Sequence, residues 1–353
     1  MNVPTQTIVR HLLIGEIATP AGVVSRVATA WTWRDWLGAC SVRLNIGRMR
    51  YGVPPGLYAV GQPGVETPVF ATANYKLTFD HLRRALAGMN AWILVLDTHA
   101  VNVWCAAGKG TFNAEELVRQ VQAVQLNRVV THRRIILPQL GASGMDAAQA
   151  SRECGFHVVF GPVYARDIAR FLADGDRLPP EFRRVHFWWR DRLAVAPLEL
   201  VVHAKAMLIV GVALALLTGV GPHGFSLAQV WRQGLGPLAL WFMTYLAAGF
   251  LGPLLLPWLP LRSFAIKGAG LGVALALAGG FVSGSGWTAL RLNAWIVLVA
   301  VGASYLLLNF TGCTTFTSPS GVRREVRLAV PVQIACGLVG LVLWTLAGIK
   351  TGW

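Results

Sequence analysis

The chain has 353 residues, of which 54% are hydrophobic and only 13% are charged, and its formal net charge at pH 7 is +15. Residues 199 to 353 carry only 11 of the charged side chains, too few to cover a water-soluble domain of that size. A wholly soluble protein and a fully disordered one are therefore both excluded, and we expect a soluble head followed by a membrane anchor.

Residues 1–173 predict a head in which strands and helices alternate, after an N-terminal extension over residues 1–50. In chain order, the pattern predicts a strand near 69–71, a helix over 77–88, a buried strand over 91–98, a helix over 113–124 with Asn113 as its N-cap, a strand over 134–137, a helix from Asp146, a strand in FHVVFGP and a helix in YARDIARFLADG. This alternation predicts a parallel, Rossmann-like α/β sheet, and such sheets bind ligands beyond the carboxyl ends of their strands.

The anchor over residues 199–353 is predicted to be all α-helical, after a polar, proline-containing linker over residues 174–198. Trp188 and Trp189 in the linker fit a membrane interface. Beyond Lys205, five uncharged windows of 22 to 31 residues each have room for one span of ~20 residues. The predicted spans lie near 199–219, 237–258, 265–284, 291–310 and 328–348, and the third is rich in glycine, which suits close helix packing.

The Lys and Arg residues beside the spans predict the orientation. If the head is cytoplasmic, the inside segments hold nine of these residues and the outside segments hold three. We therefore expect a multi-pass protein of the cytoplasmic membrane with its head inside and its C-terminus outside. The N-terminus lacks the pattern of a signal peptide. Topology and anionic lipid account for much of the positive charge, and no nucleic-acid motif accompanies it, so nucleic acid is not an expected partner.

Five cysteines are scattered along the chain, and the sequence contains no CxxC motif, so it predicts neither a zinc knuckle nor an iron–sulfur cluster. Cys105 lies in NVWCAAGKGTF, residues 102 to 112, which predicts one or two helical turns after a strand. Lys109 and the amino end of a helix both favour a thiolate there. The alternative is a buried structural cysteine. Small residues after Cys105 would let a flat, bulky ligand approach, namely Ala106, Ala107 and Gly108.

NVWCAAGKGTF resembles the signature of the corrinoid protein of microbial mercury methylation (the HgcA family). The resemblance covers most of residues 31–353 and includes WRDWLGACSVRLNIGRMRYGVPPGLYAVG, ANYKLTFDHLR, HRRIILPQLGASG, GFHVVFGPVYARDI and TGCTTFTSPSGVRREV. More weakly, the head is similar to the corrinoid domain of the large subunit of the corrinoid iron–sulfur protein.

The resemblance implies that a cobalt corrinoid lies on the strand ends, with the Cys105 thiolate as its lower axial ligand and only metal contact from the chain. A thiolate opposite a cobalt-bound methyl group would push that group toward Hg(II) as a carbanion equivalent or a radical, which forms methylmercury. The methyl donor would be linked to methyl-folate. Because the chain encodes no cluster, the resemblance also implies a small ferredoxin-like iron–sulfur protein as electron donor.

Further corrinoid contacts follow from the resemblance. They are Asn74, Tyr75, Thr78, Thr98, Asn102, Val103, Trp104, Cys105, Ala106, Ala107, Gly108, Lys109, Gln139, Gly141, Ala142, Gly161 and Pro162. For several of them, helix capping, core packing and ordinary turn chemistry are alternatives. Asp97-Thr98-His99 begins like the DxHxxG motif of His-ligated cobalamin proteins, but its sixth position is Asn102. Three interpretations of His99 remain, in this order of preference: a surface residue of the loop, a residue that contacts the axial ligand without binding cobalt, or a rival axial ligand.

Two other functions remain open. The chain could be a corrinoid methyl carrier of one-carbon metabolism, with mercury incidental. It could also be a membrane transporter or sensor with a cytosolic nucleotide-binding domain, although the sequence contains neither GxGxxG nor a P-loop.

Overall fold

The computed structural model describes residues 10–177, 179–282, 287–314, 316–317 and 319–351. The start of the predicted extension (1–9) and the last two positions of the predicted span 265–284 lie outside the described residues. The chain divides into two units, one formed by Met1–Val42 and Ile46–His186, the other by Arg43–Asn45 and Phe187–Trp353.

The first unit is built on a seven-stranded mixed sheet with strand order β1-β2-β3-β5-β4-β6-β7. The strands are β1 (Leu13–Thr19), β2 (Gly22–Val27), β3 (Gly56–Val60), β4 (Val69–Ala73), β5 (Ala91–Leu96), β6 (Arg134–Leu137) and β7 (His157–Phe160). Strands β4 to β7 are parallel, as predicted. The expectation of a wholly parallel sheet is wrong, because β3 runs antiparallel to β5 and β1 forms an antiparallel hairpin with β2. The residues of the edge strand β1 are mostly exposed, so they lack the apolar run by which buried strands are recognised.

Helices cover both faces of this sheet. They are α1 (Trp33–Arg43), α2 (Lys76–Ala85), α3 (Val103–Lys109), α4 (Ala114–Ala123), α5 (Leu126–Val129), α6 (Ala147–Cys154) and α7 (Ile168–Ala173). Short 3-10 turns occupy Arg10–Leu12, Arg48–Arg50, Gln139–Gly141, Ala165–Asp167 and Pro180–Arg183. Every helix predicted in the head is present, and the α/β class is confirmed.

Strand β5 shows how the two layers of the core form. Its residues are buried without exception, and they alternate between the two faces. Trp92 and Leu94 pack in the cluster that contains side chains of α3, α4 and α6. Ile93 and Val95 pack in the cluster that contains side chains of α2 and α7. Because β4, β5, β6 and β7 run in the same direction, their carboxyl ends lie at one edge of the sheet, where the segments that follow them begin.

A buried ionic cluster joins α1 to α2, and sequence reasoning did not predict it. The Lys76 ammonium lies 2.8 Å from the Asp35 carboxylate and 2.6 Å from that of Asp80, and Arg83 reaches the same two carboxylates at 3.0 and 2.8 Å. All four side chains are buried. Burial raises the pKa of Asp35, but hydrogen bonds from Lys76, Thr32 and His11 outweigh that effect and hold the pKa well below its usual range.

Among its described residues, the second unit contains five helices that are long and apolar enough to cross a membrane. They are α8 (Trp189–Leu217), α9 (Leu235–Leu255), α10 (Phe264–Val282), α11 (Ala289–Phe310) and α12 (Pro319–Thr351). A two-stranded hairpin, β8 (Val220–Gly221) and β9 (Gly224–Phe225), follows α8, and a helical turn with a π-helical segment, Leu227–Gln229 and Val230–Gly234, leads into α9. Helix α8 begins ten residues earlier than the predicted span, so residues 189–198 of the predicted linker are helical.

The glycine-rich third span packs closely against the fourth. A Cβ atom at Gly272 would lie 2.6 Å from the Cα atom of Ala300 and 2.8 Å from the carbonyl oxygen of Val299. Because both are backbone atoms, only glycine allows α10 and α11 to approach this closely.

Candidate functional site

Cys105 is exposed on helix α3, directly beyond the carboxyl end of β5. The side-chain oxygen of Asn102 caps the helix by accepting the backbone N–H of Cys105 at 2.9 Å. Val103 and Ala106 are buried on the opposite face and fix the helix on the core. The alternative of a buried structural cysteine is therefore wrong, because the helix leaves the thiol in solvent. Ala106 and Ala107, which were expected to let a flat ligand approach, are buried against the core, whereas Gly108 is exposed.

The exposed face of α3 also carries Trp104, Gly108 and Lys109. Trp104 is 39% exposed, so core packing does not explain the choice of tryptophan at this position. Lys109 lies one helical turn after Cys105 on the same face. Phe112 is fully buried, as expected of a packing residue. The helix thus presents a thiol, an indole and an ammonium group together.

Asn74, at the end of β4, holds the loop that leads from β5 to α3. Its side-chain oxygen accepts the backbone N–H groups of Thr98 and Ala100 at 3.1 and 2.9 Å and lies 2.9 Å from the Thr98 hydroxyl. Its amide nitrogen donates to Asp97 at 3.1 Å. Asn74 and Thr98 are both buried. Both residues were predicted as corrinoid contacts, and in this structure they organise the loop in front of Cys105.

The loop itself contains two residues in the left-handed conformation. His99 and Ala100 have φ angles of 58° and 57°, and neither is glycine. The backbone N–H of His99 donates to the Asp97 carboxylate at 3.1 Å, whereas the His99 ring is exposed. This placement agrees with the preferred interpretation of His99 as a surface residue of the loop.

Helix α4 holds the loop from the other side through Glu116. The Glu116 carboxylate accepts the backbone N–H of Asp97 at 2.6 Å and pairs with Arg119 at 2.6 Å. Glu116 lies in the first turn of the helix predicted over 113–124, but sequence reasoning missed this contact. The sequence contained one signal for this contact: an acidic residue at the start of a helix that comes soon after the end of a strand.

The segment after β6 packs directly against α3. A Cβ atom at Gly144 would lie 2.6 Å from the Cα atom of Ala107, and one at Gly141 would collide with the Phe112 ring. Gly144 was not among the predicted site residues. In the same segment, the side-chain oxygen of Gln139 is buried and accepts no hydrogen bond within the described part of the chain. Ala142 is half-buried.

The remaining predicted residues are buried or half-buried at the start of α2 and after β7. Tyr75 is buried at the start of α2, and the Arg48 guanidinium lies 5.7 Å from the centre of its ring. Thr78 is half-buried in the first turn of α2. Gly161 and Pro162 are buried after β7, where the Gly161 N–H donates to the Leu137 carbonyl at 2.8 Å. Because β7 is three strands from β5, these two residues lie roughly 14 Å across the sheet from the end of β5.

Comparisons with known proteins locate the likeness in the head. Residues 47–172 match the family described as CO dehydrogenase/acetyl-CoA synthase delta subunit. The acetyl-CoA decarbonylase/synthase complex subunit gamma of Archaeoglobus fulgidus is 33% identical over 137 residues, which are 37% of this chain and 29% of the relative. The corrinoid/iron-sulfur protein large subunit of Moorella thermoacetica is 28% identical over 117 residues, 33% of this chain and 26% of the relative.

The matched segment thus covers less than a third of the length of these relatives, and the five long apolar helices lie outside the match to the family. The likeness to the mercury-methylation family stays a prediction. The weaker predicted likeness is confirmed: the head is similar to the large subunit of a corrinoid/iron-sulfur protein.

Proposed function

We propose that the head binds a cobalt corrinoid beyond the carboxyl ends of its parallel strands, and that the chain is a membrane-anchored methyltransferase that converts Hg(II) to methylmercury. The observation that carries this proposal is the solvent-exposed thiol of Cys105 on a helix held by Asn102 and the packed loop after β6. The similarity to a corrinoid/iron-sulfur protein large subunit supports the cofactor.

The residues at this edge fit such a cofactor. A single exposed thiolate is a sufficient ligand for a metal whose other positions are occupied by a macrocycle, and Cys105 provides it. The buried side-chain oxygen of Gln139, which accepts no hydrogen bond from the described residues, can accept one from the amide groups at the rim of a corrin ring. The exposed indole of Trp104 offers an apolar surface beside the thiol. Asn74 and Thr98 would act through the loop that they hold.

When bound, the corrinoid supplies a methyl group on cobalt. Cys105 would hold its thiolate on the metal and donate electron density to it, which favours delivery of methyl to an electrophile such as Hg(II). Asn102 uses its side chain to cap α3 and so fixes the direction of the helix that carries the thiol. Lys109 lies one helical turn after Cys105 on the same exposed face of α3.

The proposed setting follows from the sequence. The excess of Lys and Arg in alternate loops supports a cytoplasmic head on the cytoplasmic membrane, with the C-terminus outside. A small ferredoxin-like iron–sulfur protein would supply electrons, and a methyl-folate-linked protein would supply the methyl group. The relatives named above include a subunit of a complex, which supports a protein partner for this head.

The test uses the full-length protein in lipid nanodiscs, reduced and loaded with methylcobalamin. Two readouts are compared, the visible spectrum of the cobalt and the methylmercury formed from added Hg(II). The Cys105→Ala variant should lose the spectral signature of thiolate ligation and the formation of methylmercury. Cys40→Ala is the matched control, because Cys40 is also an exposed free cysteine of the head. An unchanged spectrum in Cys105→Ala would refute the proposed ligand.

A methyl carrier in one-carbon metabolism is the second candidate, and the similarity to acetyl-CoA decarbonylase/synthase subunits favours it. It shares the corrinoid and Cys105 with the first proposal and differs only in the acceptor. Methylated protein that serves a folate or thiol acceptor but transfers nothing to Hg(II) would establish the carrier function instead.

A further inference from the structure

An apolar surface with a basic rim covers one side of α1 and the turn that follows it. We refer to it as the Trp33 patch, and its exposed apolar members are Trp33, Trp36, Leu37, Ile46 and Met49. Trp33, Ile46 and Met49 are each more than 60% exposed, at 69%, 64% and 65%. An exposed group of large apolar side chains such as this indicates an interaction surface.

Helix α1 has an unusual distribution of side chains. Its buried face consists of Asp35, Ala39 and Val42, whereas its larger apolar side chains point to solvent. The following turn is tied to the helix, because the N–H of Ile46 donates to the Ser41 carbonyl at 2.8 Å. The core therefore does not account for Trp33, Trp36 and Leu37, and their exposure is built into a well-defined element.

The rim of the Trp33 patch is positively charged. The Arg34 guanidinium lies 5.4 Å from the centre of the Trp33 ring, and that of Arg84 lies 5.7 Å from the centre of the Trp36 ring. Arg48 and Arg50 follow in the next turn. Asp35 is the only acidic residue between positions 31 and 65, and it is fully buried. The patch therefore offers no exposed carboxylate and complements an anionic surface.

We infer that the Trp33 patch docks on the headgroup layer of the bilayer and is selective for anionic phospholipids. Tryptophan and arginine are the residues that settle at a membrane interface, with the indole at headgroup depth and the guanidinium on phosphate. The same chain carries five helices able to span a membrane, so the lipid surface is present at a high effective concentration and weak contacts suffice. This inference rests on the membrane anchor and not on the corrinoid.

The test uses full-length protein with one cysteine. Cys40 is exposed on α1 in the same stripe as Trp33 and Leu37, so it can carry an environment-sensitive fluorophore when the other four cysteines are replaced by alanine. The protein is placed in nanodiscs of phosphatidylcholine alone or with phosphatidylglycerol, each containing a lipid with a nitroxide quencher. Gln122→Cys with Cys40→Ala places the same label on an exposed position of α4 as a control.

Quenching of the Cys40 label should be strong in the anionic discs and weak in the neutral discs, while the label at position 122 stays unquenched in both. Arg34→Gln and Arg50→Gln should each weaken docking about fivefold, and together about 25-fold, because an arginine near an anionic surface contributes on the order of 1 kcal/mol. Arg34 and Arg50 are exposed, so these substitutions leave the core intact.

Three results would overturn the inference. A Cys40 label that remains unquenched in both kinds of disc would leave the patch to a protein partner. Equal quenching in neutral and anionic discs would remove the role of the arginines. A fluorescence change in detergent that depends on protein concentration would show that the patch pairs two copies of the chain.

Discussion

The side chain of Asn74 is bonded to Thr98 on the neighbouring strand end at two points, the backbone N–H at 3.1 Å and the hydroxyl at 2.9 Å. Through this contact, one buried amide joins the end of β4 to the loop that delivers Cys105. The loop contains two residues in the left-handed conformation, so its shape depends on these external bonds.

Replacing Asn74 by alanine should therefore release the loop. The backbone N–H groups of Thr98 and Ala100 would lose their acceptor, which costs about 1–3 kcal/mol. We expect faster hydrogen exchange at residues 97–102 and weaker corrinoid binding, measured by mass spectrometry and by titration with methylcobalamin. Asn90→Ala is the control, because Asn90 also accepts a backbone N–H, that of Gln62, but in an exposed turn away from this loop. Unchanged exchange in Asn74→Ala would contradict this account of the loop.

Replacing Gly144 or Gly108 by alanine should have opposite effects on the stability of α3. Alanine at position 144 would place its Cβ 2.6 Å from the backbone of Ala107, so α3 must shift and its amides should exchange faster. Alanine at position 108 meets no described atom within 4 Å beyond its own helix and should stabilise α3 by about 0.5–1 kcal/mol. Hydrogen exchange of the cofactor-free protein measures both. Equal behaviour of the two variants would show that the loop after β6 does not constrain α3.

The buried cluster of Asp35, Lys76, Asp80 and Arg83 should be essential for the packing of α1 on α2. Asp35→Ala leaves two buried cations short of a partner and should cost about 3–5 kcal/mol. Asp174→Ala, which breaks an exposed pair with Arg170, should cost about 0.5 kcal/mol or less. Hydrogen exchange of α1 and α2 at increasing denaturant concentration measures the stability loss in each of the two variants. A mild effect of Asp35→Ala would mean that the cluster contributes little to stability.

The same cluster predicts the direction of the pH dependence. The pKa of Asp35 in the folded protein lies below that of an unfolded aspartate, about 3.9. A lowered folded-state pKa means that this stabilisation is fully present above about pH 4 and is lost as the pH falls toward the folded-state pKa. The stability difference between wild type and Asp35→Asn should therefore shrink below pH 4, as thermal unfolding of α1 and α2 measures. A stability difference that stays constant down to pH 2 would contradict the lowered pKa of Asp35.

The cysteines of the head should differ in reactivity. Cys40 and Cys105 are exposed, whereas burial raises the pKa of the partly buried Cys154 thiol. We expect maleimide to label Cys40 and Cys105 rapidly in the native cofactor-free protein and Cys154 only slowly, with peptide mapping as the readout. Protection of Cys105 on addition of a corrinoid, while Cys40 stays reactive, would further support the proposed site. Equal rates at Cys105 and Cys154 would contradict the exposure of α3.

Close packing of α10 on α11 should depend on particular glycines. Gly272→Val would force a side chain against backbone atoms of α11 and should lower the melting temperature of the protein in detergent. Gly270→Val is the matched control, because a Cβ there meets no described atom within 4 Å outside its own helix. Similar melting temperatures for the two variants would show that the helix contact is not tight.

Much of this architecture was predictable from sequence because the signals are local. A continuous apolar run with a length of six residues produced β5, and the capping residues Asn113 and Asp146 mark helix starts that the structure confirms. The five membrane-length helices follow in the same way from uncharged windows. Cys105 was recognisable by its motif, and its helix continues through Gly108 and ends at Gly110.

What only the tertiary structure decided concerns contacts between segments distant in the chain. The pairing of β3 with β5, the hold of Asn74 on Thr98 and the packing of Gly144 against Ala107 join segments with no common local pattern. Exposure was equally undetermined, since the same sequence allowed Cys105 to be buried or free, and the burial of Asp35 beneath an exposed apolar helix face reverses the usual pattern. Residue type and spacing determine the elements, whereas burial and long-range hydrogen bonds depend on which elements meet.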